Sequence, residues 1–218
     1  MNRVVECMNK LTLWKYPFKP VRAKWSVFKT IDTSRYFMEK KYDGWRAMVQ
    51  VGQDGVSLWT RDKQFIAMPN NLAIQLAALG MPEGTLLDGE IWNMSKRGAW
   101  RHDKSVICAL TLWDAIRVDH RDLSNIAIGE RRQELEKLLA GKNTPDIKAT
   151  EILPADEVLA RQIDEEARSF REGVNARSGF IHGVVLKRHG SPRRDHAVRC
   201  VEHADWIKVV FDGMQSGL

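Results

Sequence analysis

The residues best suited to chemistry lie early in the chain, in "EKKYDGWRAMV" at 39–49. Two lysines precede Asp43-Gly44, an aromatic, Arg46 and then an apolar run. A lysine can be a surface charge, a phosphate clamp or a nucleophile, and a lone lysine is most often a surface charge. Lys41 is not alone. Gly44 has no side chain to keep a bulky ligand from the backbone, and Arg46 lies one alternation further along a predicted strand. Lysine, close-approach glycine and arginine together suit a phosphorylated, ribose-bearing ligand. A second concentration of charge is "LKRHGSPRRDHAVR" at 186–199, where Lys187, Arg188, Arg193, Arg194 and Arg199 meet one acid, Asp195. Such a patch can neutralise several phosphates and make binding salt-dependent.

These residues need a scaffold. Residues 44–51 and 55–60 predict two strands joined at "GQDG". "NNLAIQLAALG" predicts a short helix with Asn70 or Asn71 near its N-cap and Gly80 after its end. "MPEGTLLDGEIW" reads as a turn and a strand ending in Glu90, and 105–116 as an apolar strand ending in Trp113-Asp114. "IGERRQELEKLLAG" predicts an amphipathic helix closed by Gly141, its charged run an exposed face with intrahelical pairs. Residues 155–172 have helical apolar spacing, and "GVVLKR" and "DWIKVVF" read as late strands. The order fits an α+β fold of at least two antiparallel sheets flanked by helices better than regular strand-helix alternation. Lys41, Glu90, Asp114, Lys187 and Lys208 fall at strand ends, where sites are commonly assembled. His102 reads as a solvated loop residue and Cys108 as a buried, inert thiol.

Composition narrows the classes. A chain of 218 residues fits one large domain or two closely packed halves. No stretch approaches the roughly 18 apolar residues of a membrane span, so no membrane partner is expected, and the N-terminus lacks the features of a signal peptide. Cys7, Cys108 and Cys200 are too far apart for a disulfide framework or a metal spacing, which fits a reducing cytosol. The net charge of +6 together with the 186–199 cluster favours a polyanionic partner.

"KYDGWR" resembles the first motif, Lys-x-Asp-Gly-x-Arg, of the covalent nucleotidyltransferases: ATP-dependent DNA ligases, related RNA ligases and mRNA-capping guanylyltransferases. "TRDK" (Thr60, Arg61), "LLDGEIW", "TLWDAI", "HGVVLKR" and "WIKVV" resemble the family's later motifs in order, so the resemblance spans residues 39–210. It implies a nucleotidyltransferase (ATP-grasp-like) adenylation domain over residues 1–218. It further implies that Lys41 attacks the α-phosphorus of ATP, expels pyrophosphate and carries AMP as a phosphoramidate. Free lysine, with a pKa of about 10.4, is neutral in roughly one molecule in a few thousand at pH 7, so neighbouring cations such as Lys187, Lys208 and a bound metal are expected to favour the neutral amine. By the same transfer Lys208 neutralises charge in the transition state and Lys187 contacts phosphate. Glu39 contacts the adenine amino group, and Arg46 and Glu90 hold the ribose hydroxyls. Arg61 contacts sugar or phosphate and later the nucleic-acid end, and Trp113 stacks on adenine. The basic segment with Arg188, Arg193 and Arg194 binds the backbone near the nick.

Three departures stand out. His182 occupies the position of a carboxylate assigned to the catalytic metal, and imidazole suits Mg²⁺ poorly. The readings are a metal held mainly by ATP phosphates and water, compensation by Asp43 or Glu90, or a weakened site that uses Mn²⁺. Val210 replaces a second lysine, leaving Lys208 to act more nearly alone. The chain stops eight residues after Val210, so no OB-fold domain is expected and a partner supplying that function is a candidate. The leading expectation is sealing of nicked double-stranded DNA, in a bacterial or phage-infected cytoplasm or on the nucleoid. RNA-containing duplexes, capping with GTP, and a non-catalytic binding module are the alternatives.

Overall fold

The computed structural model describes residues 14–93, 104–172 and 181–211. They form two sheets. The first runs β1 (Lys19–Ala23), β12 (Glu202–Val210), β11 (Ile181–Arg188), β2 (Tyr36–Tyr42), β10 (Leu153–Pro154). The second runs β5 (Phe65–Ile66), β4 (Gly55–Thr60), β3 (Trp45–Gly52), β6 (Leu86–Asn93), β7 (Cys108–Val118), β8 (Arg121–Asp122), with β9 (Ile147–Ala149) also on β7. Pairing is antiparallel except β1 with β12 and β9 with β7. Helices α1 (Asn70–Ala78), α2 (Ile128–Leu139) and α3 (Glu157–Glu172) flank the sheets. The expected α+β class with antiparallel sheets is what the chain adopts, and no helix among the described residues is long and apolar enough to cross a membrane.

The period of two along each strand decides what each sheet face carries. In the first sheet Met38, Val184, Leu186, Ile207 and Val209 turn one way and bury against Phe28 and against Ala160, Ile163 and Ala167 of α3. Their neighbours turn the other way. Register places Glu39 opposite Val185, Val185 opposite Lys208 and Lys208 opposite Arg22, a row across four strands. Lys41 lies opposite Gly183, which lies opposite Val210. In the second sheet Ala47, Val49, Leu87, Ile91, Leu110 and Leu112 share a core with Leu72 and Leu76 of α1 and Leu135 of α2. Arg46, Asp88 and Glu90 alternate with that core. Apolar packing of the helices on the outer faces therefore turns the charged residues of both sheets toward each other. A slip of one residue in any of these strands would exchange the two faces.

Several expectations change. The predicted hairpin is β3 and β4, and Gly55 closes it at φ 103°. Lys41, expected at a strand end, is the penultimate residue of β2, with Asp43-Gly44 the link to β3, whereas the strands expected to end at Glu90 and Asp114 run on to Asn93 and Val118. Pro69 is the N-cap of α1, with Asn70 the first helical residue, near the cap as expected. The Asn71 side chain instead reaches across to donate to the Cys108 carbonyl (2.7 Å) and to Asp146 (2.9 Å). The charged run on α2 is not simply an exposed face, because Arg131 and Arg132 point inward and are buried. Of the intrahelical pairs foreseen there, Arg132–Glu136 and Lys137–Glu134 form. Cys108 is buried, as expected.

Gly183 illustrates how closely the first sheet is built. A Cβ there would collide with the Val209 carbonyl oxygen and meet the backbone of Val210 at 3.3 Å. Neither is a flexible side chain that could move aside, so Gly183→Ala is expected to destabilise the fold by about 1–3 kcal/mol, measurable as a lower midpoint in urea denaturation.

Candidate active site

Between the sheets lies a cavity of about 800 Å³. Glu39 and Lys41 enter it from β2, Arg46 from β3, Glu90 from β6, Trp113 from β7, His182 and Lys187 from β11, and Lys208 from β12. Asp43 and Arg61 line it as well. Residues spread over some 170 positions of sequence thus meet because two sheets bring their polar faces together.

The Lys41 amine lies 3.2 Å from His182 Nε2 and donates to the Tyr42 carbonyl at 3.3 Å. The Tyr42 ring stacks on Trp92, with centroids 5.5 Å apart and planes 7° from parallel. Asp43 Oδ1 is 3.7 Å from His182 Nδ1. The Gly44 amide donates to Glu90 Oε1 at 3.0 Å. That bond explains the glycine differently from the sequence argument. A Cβ at Gly44 would strike the Ile91 carbonyl oxygen and come within 3.0 Å of Glu90 Cγ. The space a side chain would need is filled by β6 itself, so Gly44 is required for close contact between the β2–β3 link and β6. Burial pushes the Glu90 carboxyl above the ordinary range, against the opposing pull of Lys41, the Gly44 amide and Arg46.

Glu39 is buried, with Oε2 2.6 Å from the Lys187 amine and Oε1 3.4 Å from Arg132. Lys187 sits over the Trp206 ring at 4.1 Å and near Trp113 at 5.5 Å. Burial lowers its pKa, and Glu39 resists that shift. Lys187, expected on a phosphate, is therefore committed first to Glu39. Arg46 spends three of its five N–H groups, two on Asp88 and one on the Phe18 carbonyl. Lys208 is half-buried; burial lowers its pKa, Glu202 opposes, and Lys41, Lys19 and Arg22 push it further down. Trp113 lies beside Arg46 and Lys187 on the cavity wall. Arg61 is exposed at the rim and pairs with Asp62 at 3.3 Å.

The basic segment divides. Arg193, expected on the nucleic-acid backbone, is fully buried. It donates to Asp88 (2.8 Å) and Asp114 (2.9 Å) in the second sheet and to Asp195 (2.9 Å) beside it. A guanidinium enclosed by three carboxylates has nothing to offer a phosphate, so that assignment is replaced by a structural one. Arg188 and Arg194 are partly exposed and share Asp205, at 3.6 and 3.3 Å. Neither lines the cavity.

The described side chains, Asp43 and Glu90 among them, do not assemble a ready-made divalent-cation site. Among the described residues no three of His, Cys, Asp or Glu cluster as metal ligands. Glu90 is held by an amide, and His182 faces the Lys41 amine. His102 falls outside the described residues.

Sequence reasoning missed Asp88, Asp114 as an ion-pair partner, Arg131, Arg132, Lys19 and Arg22. Asp88 was within reach: it stands two positions before Glu90 on the same strand face. Arg131 forms a bidentate pair with Asp114 at 2.8 and 3.0 Å. An arginine on an amphipathic helix carries no sign that its partner lies beneath the helix.

A lysine amine, a buried carboxylate and two further lysines gathered in a cleft between two sheets suit a phosphorylated nucleotide. Residues 17–209 match the ATP dependent DNA ligase domain, and the chain belongs to that family. It is 27% identical over 201 residues to the multifunctional non-homologous end joining protein LigD of Pseudomonas aeruginosa, a match covering 88% of this chain and 20% of that protein. It is 28% identical over 144 residues to a DNA ligase of Natronomonas pharaonis, covering 58% of this chain and 26% of that one. The chain thus spans about a fifth to a quarter of these relatives. Its fold resembles that of mycobacterial DNA ligase D complexed with ATP and MES, at TM-score 0.61 and 21% identity over 90% of this chain and 60% of that one. It also resembles a Lig E DNA ligase, at TM-score 0.55 and 18% identity over 88% and 68%.

The two kinds of arginine should separate in a stability measurement. Arg193→Ala is expected to cost about 3–5 kcal/mol by taking one cation from each of three carboxylates, two of them fully buried, whereas Arg194→Ala should stay within about 1 kcal/mol; chemical denaturation reads both. The pH dependence follows from the same cluster. Burial alone would raise Asp88 and Asp114, but Arg46, Arg131 and Arg193 more than offset it and hold both carboxyls below the usual range. With the folded pKa values depressed, their stabilisation is complete above the unfolded carboxylate range, near pH 4, and is lost as pH falls below it. The urea midpoint should therefore drop steeply on acidification below about pH 4.

Proposed function

We propose that the chain catalyses adenylyl transfer from ATP through Lys41 and, on that basis, seals nicks in duplex DNA. The observation that carries this reading is the meeting of Lys41, Glu39, Arg46, Glu90 and Lys208 in one cavity. The Lys41 nitrogen attacks the α-phosphorus, an N–P bond forms, the bridging α–β P–O bond breaks, and pyrophosphate leaves while the amine proton passes to solvent. Lys208 offsets charge developing on the α-phosphate. Glu39, Arg46, Glu90 and Trp113 receive the nucleoside. The Glu39 oxygens keep lone pairs beyond those used by Lys187 and Arg132, which suits adenine's amino group and disfavours guanine's carbonyl, so ATP ranks above GTP. AMP then passes to a 5′-phosphate, and an attacking 3′-hydroxyl releases it.

DNA is ranked over RNA-containing duplexes on family membership. Arg61 at the rim and the partly exposed Arg188 and Arg194 are the candidate contacts to the polynucleotide, in the cytoplasm or on the nucleoid. Residues 1–218 act as the adenylation domain, and an OB-fold function comes from a partner or from elsewhere in a longer chain. Mg²⁺ arrives on the triphosphate of the substrate, since among the described residues no three His, Cys, Asp or Glu side chains cluster to hold it.

Incubation with α-labelled ATP should label the wild type and not Lys41→Ala, and labelled GTP should label neither; a labelled Lys41→Ala protein would overturn the nucleophile. The labelled protein should seal nicked DNA faster than a nicked RNA-containing duplex. His182→Glu should lower the Mg²⁺ concentration needed for half-maximal labelling, and an unchanged metal titration would remove that role for position 182.

A further inference from the structure

Strand β1 carries cations that neither the motifs nor the reading above uses. Arg22 stands opposite Lys208, at the end of the row Glu39–Val185–Lys208–Arg22, and both Lys19 and Arg22 line the cavity. Arg22 is exposed and Lys19 partly so. Among the described residues neither makes an ion pair. The carboxylate nearest in register is Glu202, opposite Lys19, and it forms no ion pair within 4 Å either. Lys41, Lys19 and Arg22 all lie close enough to Lys208 to act on its charge. Two β1 cations without an ion pair, added to Lys41 and Lys208 on the same cavity wall, have an electrostatic reason to bind a polyanion.

The order of the strands gives the anion a direction. Lys41 enters from β2, Lys208 lies two strands away on β12, and Arg22 lies one strand further on β1. Phosphoryl transfer places the attacking and leaving atoms roughly in line. With the amine on the β2 side and Glu39 and Trp113 receiving the base, the leaving group departs toward β1. We propose that Lys19 and Arg22 of β1, together with Lys208, form a pyrophosphate subsite that receives the β- and γ-phosphates of the nucleotide. The inference rests on the adenylation reading for its biological use. Pyrophosphate takes the bridging oxygen and its electron pair with it, and the β1 cations neutralise the charge it gains. Arg suits this task through its forked donors.

The test is a calorimetric titration of the full chain with inorganic pyrophosphate at fixed ionic strength, which needs no catalysis. Wild type should bind, and Lys19→Ala/Arg22→Ala should bind at least about tenfold more weakly, as expected for loss of charge-assisted contacts. Both positions are at least partly exposed, so the double variant should keep its circular dichroism spectrum. Discharge of labelled protein by pyrophosphate should need a correspondingly higher concentration. Affinity for a nicked DNA duplex should change less than about twofold. Unchanged pyrophosphate affinity in a folded double variant overturns the subsite, even if labelling by ATP is normal. Loss of DNA affinity with pyrophosphate affinity intact also overturns it and assigns the cations to a polynucleotide. Pyrophosphate binding that depends on β1 in a chain that never labels would sustain the subsite and reject the adenylation reading.

Discussion

One buried guanidinium holds the two halves of the site in register. Arg193 belongs to the connection between two strands of the first sheet, yet its donors reach Asp88 and Asp114 in the second. Asp88 is in turn paired with Arg46, and Asp114 with Arg131 of α2. Removing so many charges from water is costly, and such a cluster is favourable only because nearly every group is hydrogen-bonded. Its value lies in geometry. A hydrophobic seam would tolerate sliding, whereas forked arginine–carboxylate pairs fix angle and distance together.

From that seam the cleft follows. Asp88 and Glu90 share one face of β6, so fixing Asp88 against Arg193 also fixes the height of Glu90 above the first sheet. Glu90 then accepts from the Gly44 amide and holds the link that follows Lys41. On the opposite wall Glu39 ties Lys187 to Arg132 of α2, and α2 is itself pinned by Arg131. The cavity is thus lined by groups whose positions are set by charge pairing, while the apolar faces of both sheets supply the stability. Lys41, Lys208, Lys19 and Arg22 are the cations left without an ion pair among the described residues at this end of the cleft. A phosphorylated ligand would complete the balance.

The sequence made the chemistry more legible than the frame. Lys41, Glu90 and Lys208 could be found because reaction chemistry fixes their types and local spacing. The hairpin of β3 and β4 was visible from its turn residues and the late strands from their apolar alternation. Gly44 was singled out for ligand approach, and its packing against β6 was not foreseen, because a glycine reports close approach without saying what approaches. Arg193 was misplaced because a run of basic residues looks the same whether its members face solvent or carboxylates folded in from a hundred residues away. Arg131 and Arg132 were hidden by the same ambiguity on a helix. Strands of two or three residues such as β5 and β8–β10 are too short to show a period and exist only because longer strands offer them an edge. Lys19 and Arg22 were silent because their importance comes from parallel pairing with β12, a long-range contact that local patterns do not encode.

A crystal structure of the chain with ATP addresses the central claim most directly. The account predicts the base against Glu39 and Trp113, the ribose at Arg46 and Glu90, and the α-phosphorus between the Lys41 amine and Lys208, or else AMP already joined to Lys41. A nucleotide bound outside the cleft, or a Lys41 side chain turned away from the α-phosphate while Arg193 keeps its three carboxylates, would contradict it.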